Sequence, residues 1–342
     1  MSASTHPTRI KLIQLDGALP NLGLMKLAHW HRAHGHEVLV TRSIEPDLFG
    51  GPFDRVYGAA IFSFSAEKIA RFRQCYPDGI LGGTGTDSTL TVEEFLHVPT
   101  YEHYSYEGWN VRYSLGFTQR GCRLRCKFCV VPSKEGRVRS TNTISEIWRG
   151  PAYPKQLHLL DNDFFGQPPE HWQARIQELR IGAFRVCLSQ GINIRLITNE
   201  AAAALASIEY RDTKFRERRL YTAWDQLGDE RTFFRGVDRL AAAGIPSSHL
   251  MVYMLVGFDP HETWPRIWHR FNAMVARGIR PYPMVYDRTR ADLRRFQRWV
   301  VTGLYRAVPW SEYLGSMRRE TVDVRLGHSI NEQQLTLDAM SG

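Results

Sequence analysis

Three cysteines stand within eight positions of the chain, in the segment Gly121-Cys122-Arg-Leu-Arg-Cys126-Lys-Phe-Cys129. Three thiolates on one short loop can bind three irons of a cubane 4Fe-4S cluster and leave the fourth iron without a protein ligand. A catalytic metal centre needs such an open position. The spacing therefore indicates a 4Fe-4S cluster held by Cys122, Cys126 and Cys129.

Positively charged residues alternate with these cysteines: Arg123, Arg125 and Lys127. A cluster bound by three thiolates carries negative charge, which neighbouring cations offset. Cations close to a thiol also lower its pKa, because they stabilise the thiolate. We therefore expect the loop to be electrostatically suited to a thiolate-bound metal centre.

The spacing of these cysteines by itself also allows roles other than binding an iron–sulfur cluster. A structural zinc site would need a fourth ligand at a suitable distance, and the nearest histidines, His103 and His158, complete no usual pattern. A redox pair formed by Cys126 and Cys129 leaves Cys122 without a role. Inert buried cysteines are common in proteins, but three of them among arginines and lysines are poor core residues.

The chain has 342 residues, of which 43% are hydrophobic and 23% are charged. This composition is typical of globular proteins and excludes a disordered, collagenous or fibrous chain. Five cysteines are few and odd in number for this length, so a reducing compartment is favoured over a disulfide framework. Neither a signal peptide nor an apolar stretch of about 20 residues is found, which predicts a soluble, cytoplasmic protein without a membrane partner.

The formal net charge is +9, from 44 Lys and Arg residues against 35 Asp and Glu residues. A basic chain is compatible with nucleic acid as a partner, because clustered cations release counterions from phosphates on binding. The excess rests on 37 arginines and 7 lysines, a ratio that a GC-rich coding sequence produces by itself. Nucleic-acid binding is therefore a secondary expectation.

Strand and helix periods alternate along the chain, with early strands expected at 11–15, 38–41, 55–64 and 79–81. Candidate strands then recur near 113, 156, 184, 219, 249 and 280, at the spacing of βα units. Such alternation indicates parallel sheets covered by helices. We predict an α/β protein with a Rossmann-like parallel sheet over residues 1–105, a partial (β/α)6 barrel over 106–310 and a C-terminal extension over 311–342.

Helix ends are also marked in the sequence. Thr143-Ile-Ser-Glu146 has the pattern of a capping box. Thr289-Arg-Ala-Asp292 is expected to open a last helix that runs to about Arg306. In parallel barrels the functional groups lie at the carboxyl ends of strands, so the residues after each predicted strand are the candidates for chemistry.

The segment from Gly116 to Gly136 resembles the signature loop of the radical S-adenosylmethionine (radical SAM) superfamily, including the aromatic Phe128 before the last cysteine. Over roughly residues 10–310 the chain resembles bacterial and phage radical SAM proteins that carry a cobalamin-binding-like domain in front. The resemblance implies a radical SAM barrel and an electron donor such as flavodoxin or ferredoxin. It also implies that S-adenosylmethionine, bound at the open iron, is cleaved reductively to a 5′-deoxyadenosyl radical. No residue identifies the substrate of that radical.

The resemblance also implies residues that bind S-adenosylmethionine. The backbone beside Phe128 would meet its adenine, and Asp161 or Asp163 would receive its ammonium group at the position of the superfamily's Gly-Gly-Glu motif, which this chain lacks. The alternative for the Asp161-Asn-Asp163 segment is a turn after the strand, since Asp and Asn favour turns.

Two further strand ends carry candidate cofactor-binding residues. Asn193 and Arg195 are placed to contact the ribose and carboxylate of the cofactor, with a buried ion pair as the alternative for Arg195. Gly257 lies in a segment similar to the superfamily's adenine-contacting Gly-x-Ile-x-Gly-x-x-Glu, or it only turns the chain. Asp225, at the end of another strand, is a weaker candidate.

Cobalamin binding by the N-terminal unit is left open. Cobalamin domains often have Asp-x-His-x-x-Gly after the first strand, and Ala18 stands where that histidine ligand would be. The segment Gly82-Gly83-Thr-Gly85 looks like the glycine loop beside the cobalamin nucleotide tail. The alternative is a vestigial fold that serves as a substrate lid. Two other functions stay open as alternatives. One is a cobalamin-dependent methyltransferase, and the other is a non-catalytic, metal-stabilised nucleic-acid-binding module.

Overall fold

The structure is a computed structural model that describes residues 8–46, 51–88 and 90–313. The chain divides into two compact units, of which the first ends at Arg112 and the second begins at Tyr113. The boundary predicted near residue 105 falls before the segment 106–112, which belongs to the first unit. Of the extension predicted over 311–342, residues 314–342 lie outside the described residues.

The first unit is a four-stranded parallel sheet in the order β2-β1-β3-β4. Its strands are β1 (Arg9–Gln14), β2 (Glu37–Thr41), β3 (Arg55–Ala59) and β4 (Ile80–Gly82), and its helices are α1 (Leu22–Ala33), α2 (Ala66–Cys75) and α3 (Val92–Leu96). Leu12 of β1 packs with Leu24 of α1, whereas Ile13 packs with Phe72 of α2. Helices therefore cover both faces of the sheet, as the predicted α/β class requires.

The third strand ends earlier than the sequence predicts, at Ala59 rather than at Phe64. The carboxylate of Asp16 accepts hydrogen bonds from the backbone N–H groups of Ile61 and Phe62, at 2.7 and 3.0 Å. Because these N–H groups serve a side chain instead of a neighbouring strand, the chain leaves the sheet and turns into α2.

The second unit contains nine strands and seven helices within its described residues. The strands are β5 (Ser114–Gly116), β6 (Gln119–Arg120), β7 (Arg139–Ser140), β8 (Gln156–Leu159), β9 (Arg185–Cys187), β10 (Glu209–Tyr210), β11 (Leu220–Ala223), β12 (Leu250–Val256) and β13 (Arg280–Val285). The helices are α4 (Val131–Lys134), α5 (Ile144–Ile147), α6 (Pro169–Ile181), α7 (Asn199–Ala206), α8 (Glu230–Ala242), α9 (Trp264–Ala276) and α10 (Ala291–Val301). No helix in the described part of the chain combines the length and apolar character needed to cross a membrane.

The strands of the second unit form two parallel sheets, β10-β9-β8-β5 and β11-β12-β13, beside the antiparallel pair of β6 and β7. The loop after β9 joins the two sheets. The N–H group of Ile192 donates to the carbonyl of Tyr221 at 2.8 Å, and the hydroxyl of Thr222 donates to the carbonyl of Ile192 at 2.8 Å. The six strands predicted after residue 112 are all present, as β5, β8, β9, β11, β12 and β13.

The two faces of these sheets differ in chemistry. One face packs Leu157, Val186 and Val252 into a hydrophobic core with α6, α8 and α9. The other face carries buried polar and aromatic side chains, among them His158, Cys187, Tyr221, Tyr253 and Tyr282. This alternation along each strand is what a twofold side-chain period produces when both faces are covered.

The two predicted helix starts have different outcomes. The capping box at Thr143 is confirmed, because its hydroxyl accepts from the N–H of Glu146 and the Glu146 carboxylate accepts from the N–H of Thr143. The predicted cap at Thr289 is wrong. Its hydroxyl donates to Asp287 at 2.6 Å, and α10 begins only at Ala291.

Candidate metal centre

The cysteines lie on a loop between β6 and β7 whose two ends are tied together by Glu135. Its carboxylate accepts from the guanidinium of Arg120 at 3.0 and 3.1 Å and from the N–H of Gly121 at 3.0 Å. The side-chain amide of Asn162, which follows β8, donates to the same carboxylate at 2.8 Å. Gly121 has a φ of 78°, and a Cβ there would overlap the carbonyl of Arg137. The glycine before the first cysteine is therefore required to close the loop.

A second tie joins the cysteine loop to the end of β8. The Nε and Nη2 atoms of Arg123 donate to the two carboxylate oxygens of Asp163, at 2.7 and 3.0 Å. The Asp163 side chain has no exposed surface. Gly166 leaves room for the pair, because a Cβ at that position would press against both side chains.

Asp161 holds the backbone that leads into the loop. Its Oδ1 atom accepts from the N–H groups of Thr118 and Gln119, at 2.7 and 3.1 Å, and its Oδ2 atom accepts from the Thr118 hydroxyl. Burial raises the pKa of Asp161 to about 7, although these hydrogen bonds act to lower it. Asp161 and Asp163, predicted to receive an ammonium group, are thus both engaged within the chain, and their cofactor role stays a prediction.

The end of β9 also meets the cysteine loop. The Nη2 atom of Arg195 donates to the Cys126 Sγ atom at 3.7 Å, and its Nη1 atom donates to Asp229 at 2.6 Å. Burial acts to lower the pKa of Arg195, but Asp229 and Cys126 outweigh it and raise that pKa. The Nδ2 atom of Asn193 is buried and has no hydrogen-bond partner among the described residues. Of the predicted polar pair after β9, Arg195 therefore contacts a thiol, and the amide donor of Asn193 is unused within the described residues.

Aromatic rings connect the loop to the end of β12. The ring of Phe128 meets that of Phe258 edge-on, with the centroids 5.4 Å apart, and Phe258 meets Tyr286 at 4.9 Å. Phe258 directly follows Gly257, whose φ is 82°. A Cβ at Gly257 would lie 2.8 Å from the side chain of Leu293, so the turn itself requires glycine. Phe128 and Gly257, predicted from separate segments, are thus brought together.

The three thiols of the loop influence one another electrostatically. Burial is the main cause that raises the pKa of Cys122 to about 11, against a hydrogen bond from the N–H of Leu124. Asp163, Cys129 and Cys126 act in the same direction as burial. Burial likewise raises the pKa of Cys129. In the absence of a metal centre, these two thiols are therefore protonated at neutral pH.

The expectation that loop cations lower the thiol pKa values is wrong for Cys122 and Cys129. Arg123 is paired with the buried carboxyl group of Asp163, and Asp163 itself acts to raise the pKa of Cys122. Arg125 points to solvent, where water screens its charge. Burial of the thiols, which favours their neutral form, therefore dominates.

Asp225 follows β11 and was the weakest of the sequence candidates. Its Oδ1 atom accepts from the N–H of Leu255 at 3.0 Å. Burial raises the pKa of Asp225 to about 6, and its charge in turn raises the pKa of Cys129, so the two groups are neighbours. Glu135 and Asp229 were missed, because neither belongs to a motif and each acts through a partner distant in sequence.

All five cysteines are free thiols. Cys187 is buried on β9, and Cys75 lies at the end of α2 in the first unit. Over residues 8–46, 51–88 and 90–313, no group of three or more His, Cys, Asp or Glu side chains is arranged to hold a metal ion.

The glycine loop of the first unit has a packing explanation. Gly83 has a φ of 103°, and a Cβ there would overlap the carbonyl oxygen of Ala60. A Cβ at Gly85 would overlap the backbone of Phe62. The loop that resembles a cobalamin-binding loop therefore lies against the segment that follows β3, and its two tightest glycines are required there.

Comparisons of the chain with protein-family models, with curated proteins and with solved structures find no match. The chemistry of the site therefore has to follow from its own groups. These are three thiols on a clamped loop, a guanidinium beside one of them and a buried amide donor with no partner among the residues that the structure describes. Thiols of this kind can act as metal ligands once they lose their protons.

Proposed function

We propose that this protein is a radical SAM enzyme in which Cys122, Cys126 and Cys129 hold a 4Fe-4S cluster. The observation that carries the proposal is the convergence of three strand ends, those of β8, β9 and β12, on the cysteine loop. In parallel α/β proteins this edge is where functional groups gather. The succession of six βα units, with the loop after β9 bridging the two sheets, supports a partial (β/α)6 barrel.

The residues present fit such a cluster. In a cubane cluster each thiolate binds a different iron, so the three sulfur atoms need not surround a single point. Cys122 Sγ accepts from the N–H of Leu124 at 3.4 Å, and Cys126 Sγ accepts from Arg195. When bound, a cluster with one open iron would supply the reductive cleavage of S-adenosylmethionine to a 5′-deoxyadenosyl radical.

The chain also offers groups for S-adenosylmethionine itself. The Nδ2 atom of Asn193, which has no partner in the described part of the chain, can donate to a polar atom of the ligand. Such a bond would remove the cost of a buried unsatisfied donor. Phe128 and Phe258 form an apolar wall beside the cysteines. Asp225 accepts a hydrogen bond at Oδ1 and lies near Cys129, so its second oxygen is a better acceptor for the ammonium group than the engaged Asp161 or Asp163.

The proposal includes a cytoplasmic location and an electron donor such as flavodoxin or ferredoxin, because reductive cleavage consumes an electron. The substrate is not part of it. Cobalamin binding by the first unit stays a separate prediction, since Ala18 offers no cobalt ligand and packing alone accounts for Gly83 and Gly85.

Anaerobic reconstitution with iron and sulfide tests the proposal. We expect about four irons per chain, and 5′-deoxyadenosine on addition of dithionite and S-adenosylmethionine. Cys126→Ala should abolish the product, whereas Cys75→Ala, which removes a free thiol outside the loop, should leave it unchanged. Stoichiometric zinc with no bound iron would refute the proposal.

The electron paramagnetic resonance (EPR) spectrum of the reduced cluster separates an enzyme from a binding module. An open iron changes its signal when S-adenosylmethionine binds. A cluster whose signal does not respond would be structural, and a non-catalytic nucleic-acid-binding module would then be the better account.

A further inference from the structure

Arg195 differs from the other cations near the cysteine loop, because its guanidinium contacts a cysteine sulfur. The Nη2 atom lies 3.7 Å from Cys126 Sγ. Arg123 is bound to Asp163 instead, and Arg125 is exposed to solvent. Arg195 is thus the cation whose charge and hydrogen bond both reach a proposed cluster ligand.

The guanidinium is held in place from the side opposite the cysteine. Its Nη1 atom donates to Asp229 at 2.6 Å. The turn that carries Arg195 packs closely on α8, because a Cβ at Gly236 would overlap the first carbonyl of that turn. Arg239 of α8 donates at 2.7 Å to the carbonyl that follows the turn. Asp229 and the contacts with α8 therefore fix the position of the Arg195 guanidinium, which does not move as a free side chain would.

Both terminal nitrogens of Arg195 thus have partners in the chain, Asp229 and Cys126. These contacts favour a role toward the thiolate over the predicted fork to a ligand carboxylate. Hydrogen bonds to ligating sulfurs change the potential of an iron–sulfur cluster, and charge-assisted ones are the stronger kind. Reduction adds negative charge, which a cation at the sulfur stabilises.

We infer that Arg195 is a positioning residue that raises the reduction potential of the cluster through Cys126, while Asp229 keeps its guanidinium in place. The inference rests on the proposed function, because it needs a cluster at Cys126. It goes further by identifying a residue outside the cysteine motif that sets how readily the centre accepts an electron.

Arg195→Gln tests this inference in the full-length, reconstituted protein. The cluster is titrated with dithionite, which supplies one electron per cluster, and the reduced fraction is followed by EPR. At a fixed solution potential we expect the ratio of reduced to oxidised cluster to fall about tenfold, which corresponds to about 59 mV for a one-electron couple.

The matched control is Arg125→Gln, which removes the same charge from an exposed residue next to Cys126. We expect it to change the ratio by less than about twofold, because solvent screens an exposed charge. Equal shifts in the two variants would assign the effect to general charge and overturn the role of the Arg195 contact. An unchanged potential in Arg195→Gln would overturn it as well.

Arg195→Lys covers the case in which Arg195→Gln does not take up iron. Lysine keeps the charge but cannot reach Asp229 and Cys126 in the same bidentate manner, so we expect a smaller shift in the same direction. If both variants fail to assemble a cluster that Arg125→Gln does assemble, Arg195 is needed for assembly, and tuning is refuted. A wild-type protein without a cluster would instead refute the proposed function.

Discussion

In both units polar residues follow the carboxyl ends of the strands. The two units differ in whether the hydrogen-bonding groups of these residues find partners within the chain. In the first unit, Asp16 accepts three hydrogen bonds from the segment after β3, from Ile61, Phe62 and Ser65. In the second unit, Asp163 is also fully engaged, yet the amide of Asn193 has no partner in the described part of the chain. Arg195, two residues after Asn193, contacts Cys126, one of three free thiols on the cysteine loop.

The difference shows that a polar strand end is not by itself a binding site. In the first sheet the strand order reverses between β1 and β3, where sheets of this kind usually bind ligands. There the side chain of Asp16 and the loop after β4 fill the space with the protein's own groups. In the described part of the second unit one buried amide donor is unused and three thiols on one loop are free, which is the stronger indication of a ligand.

Gly83→Ala tests whether packing closes the first strand end. It should lower the free energy of unfolding by about 2–4 kcal/mol, because alanine disfavours a positive φ and its Cβ would overlap Ala60. The control is Gly82→Ala, where a Cβ meets nothing within 4 Å and the cost should stay below about 1 kcal/mol. Urea unfolding of both variants measures the difference. Equal, small effects would mean that the loop is shaped for a ligand and not by packing.

Asp163→Asn tests the tie between β8 and the cysteine loop. Loss of the buried carboxylate should lower the free energy of unfolding by about 1–3 kcal/mol and reduce the iron retained after reconstitution. The matched control is Asp259→Asn, since the Asp259–Arg266 pair is 3.6 Å long and about half exposed. It should cost less than about 1 kcal/mol. Unfolding curves and iron assays that do not distinguish the two variants would contradict the assigned tie.

The effect of Asp161 on stability should depend on pH. Because burial raises its pKa to about 7, the folded chain keeps a proton that the unfolded chain releases near pH 4. Stability therefore falls as the pH rises from about 4 to about 7. Asp161→Asn keeps an acceptor for Thr118 and Gln119 without the charge, so its stability should not show that fall.

Urea unfolding at about pH 5 and about pH 8 measures this effect. The stability of wild type relative to Asp161→Asn should be lower at the higher pH. An identical difference between the two proteins at both pH values would contradict the raised pKa of Asp161.

The local sequence pattern was sufficient to predict an element where the contacts that stabilise it are between residues close in sequence. The capping box at Thr143 involves residues three positions apart, and the hydrophobic periods located all six later strands. The local pattern did not predict where β3 ends, because the group that draws Ile61 out of the sheet is Asp16, 45 positions away. At Thr289, the hydroxyl had a competing acceptor in Asp287.

For the candidate site, covalent spacing alone already places Cys122, Cys126 and Cys129 on one loop, since eight consecutive positions cannot separate far. Which charges act on those thiols was decided only by the fold. It pairs Arg123 with Asp163, and it brings Arg195 to Cys126 from 69 positions further along the chain. The reason is physical: a pKa or a hydrogen bond depends on how much water is removed and which partner arrives, and neither is written in the order of residues.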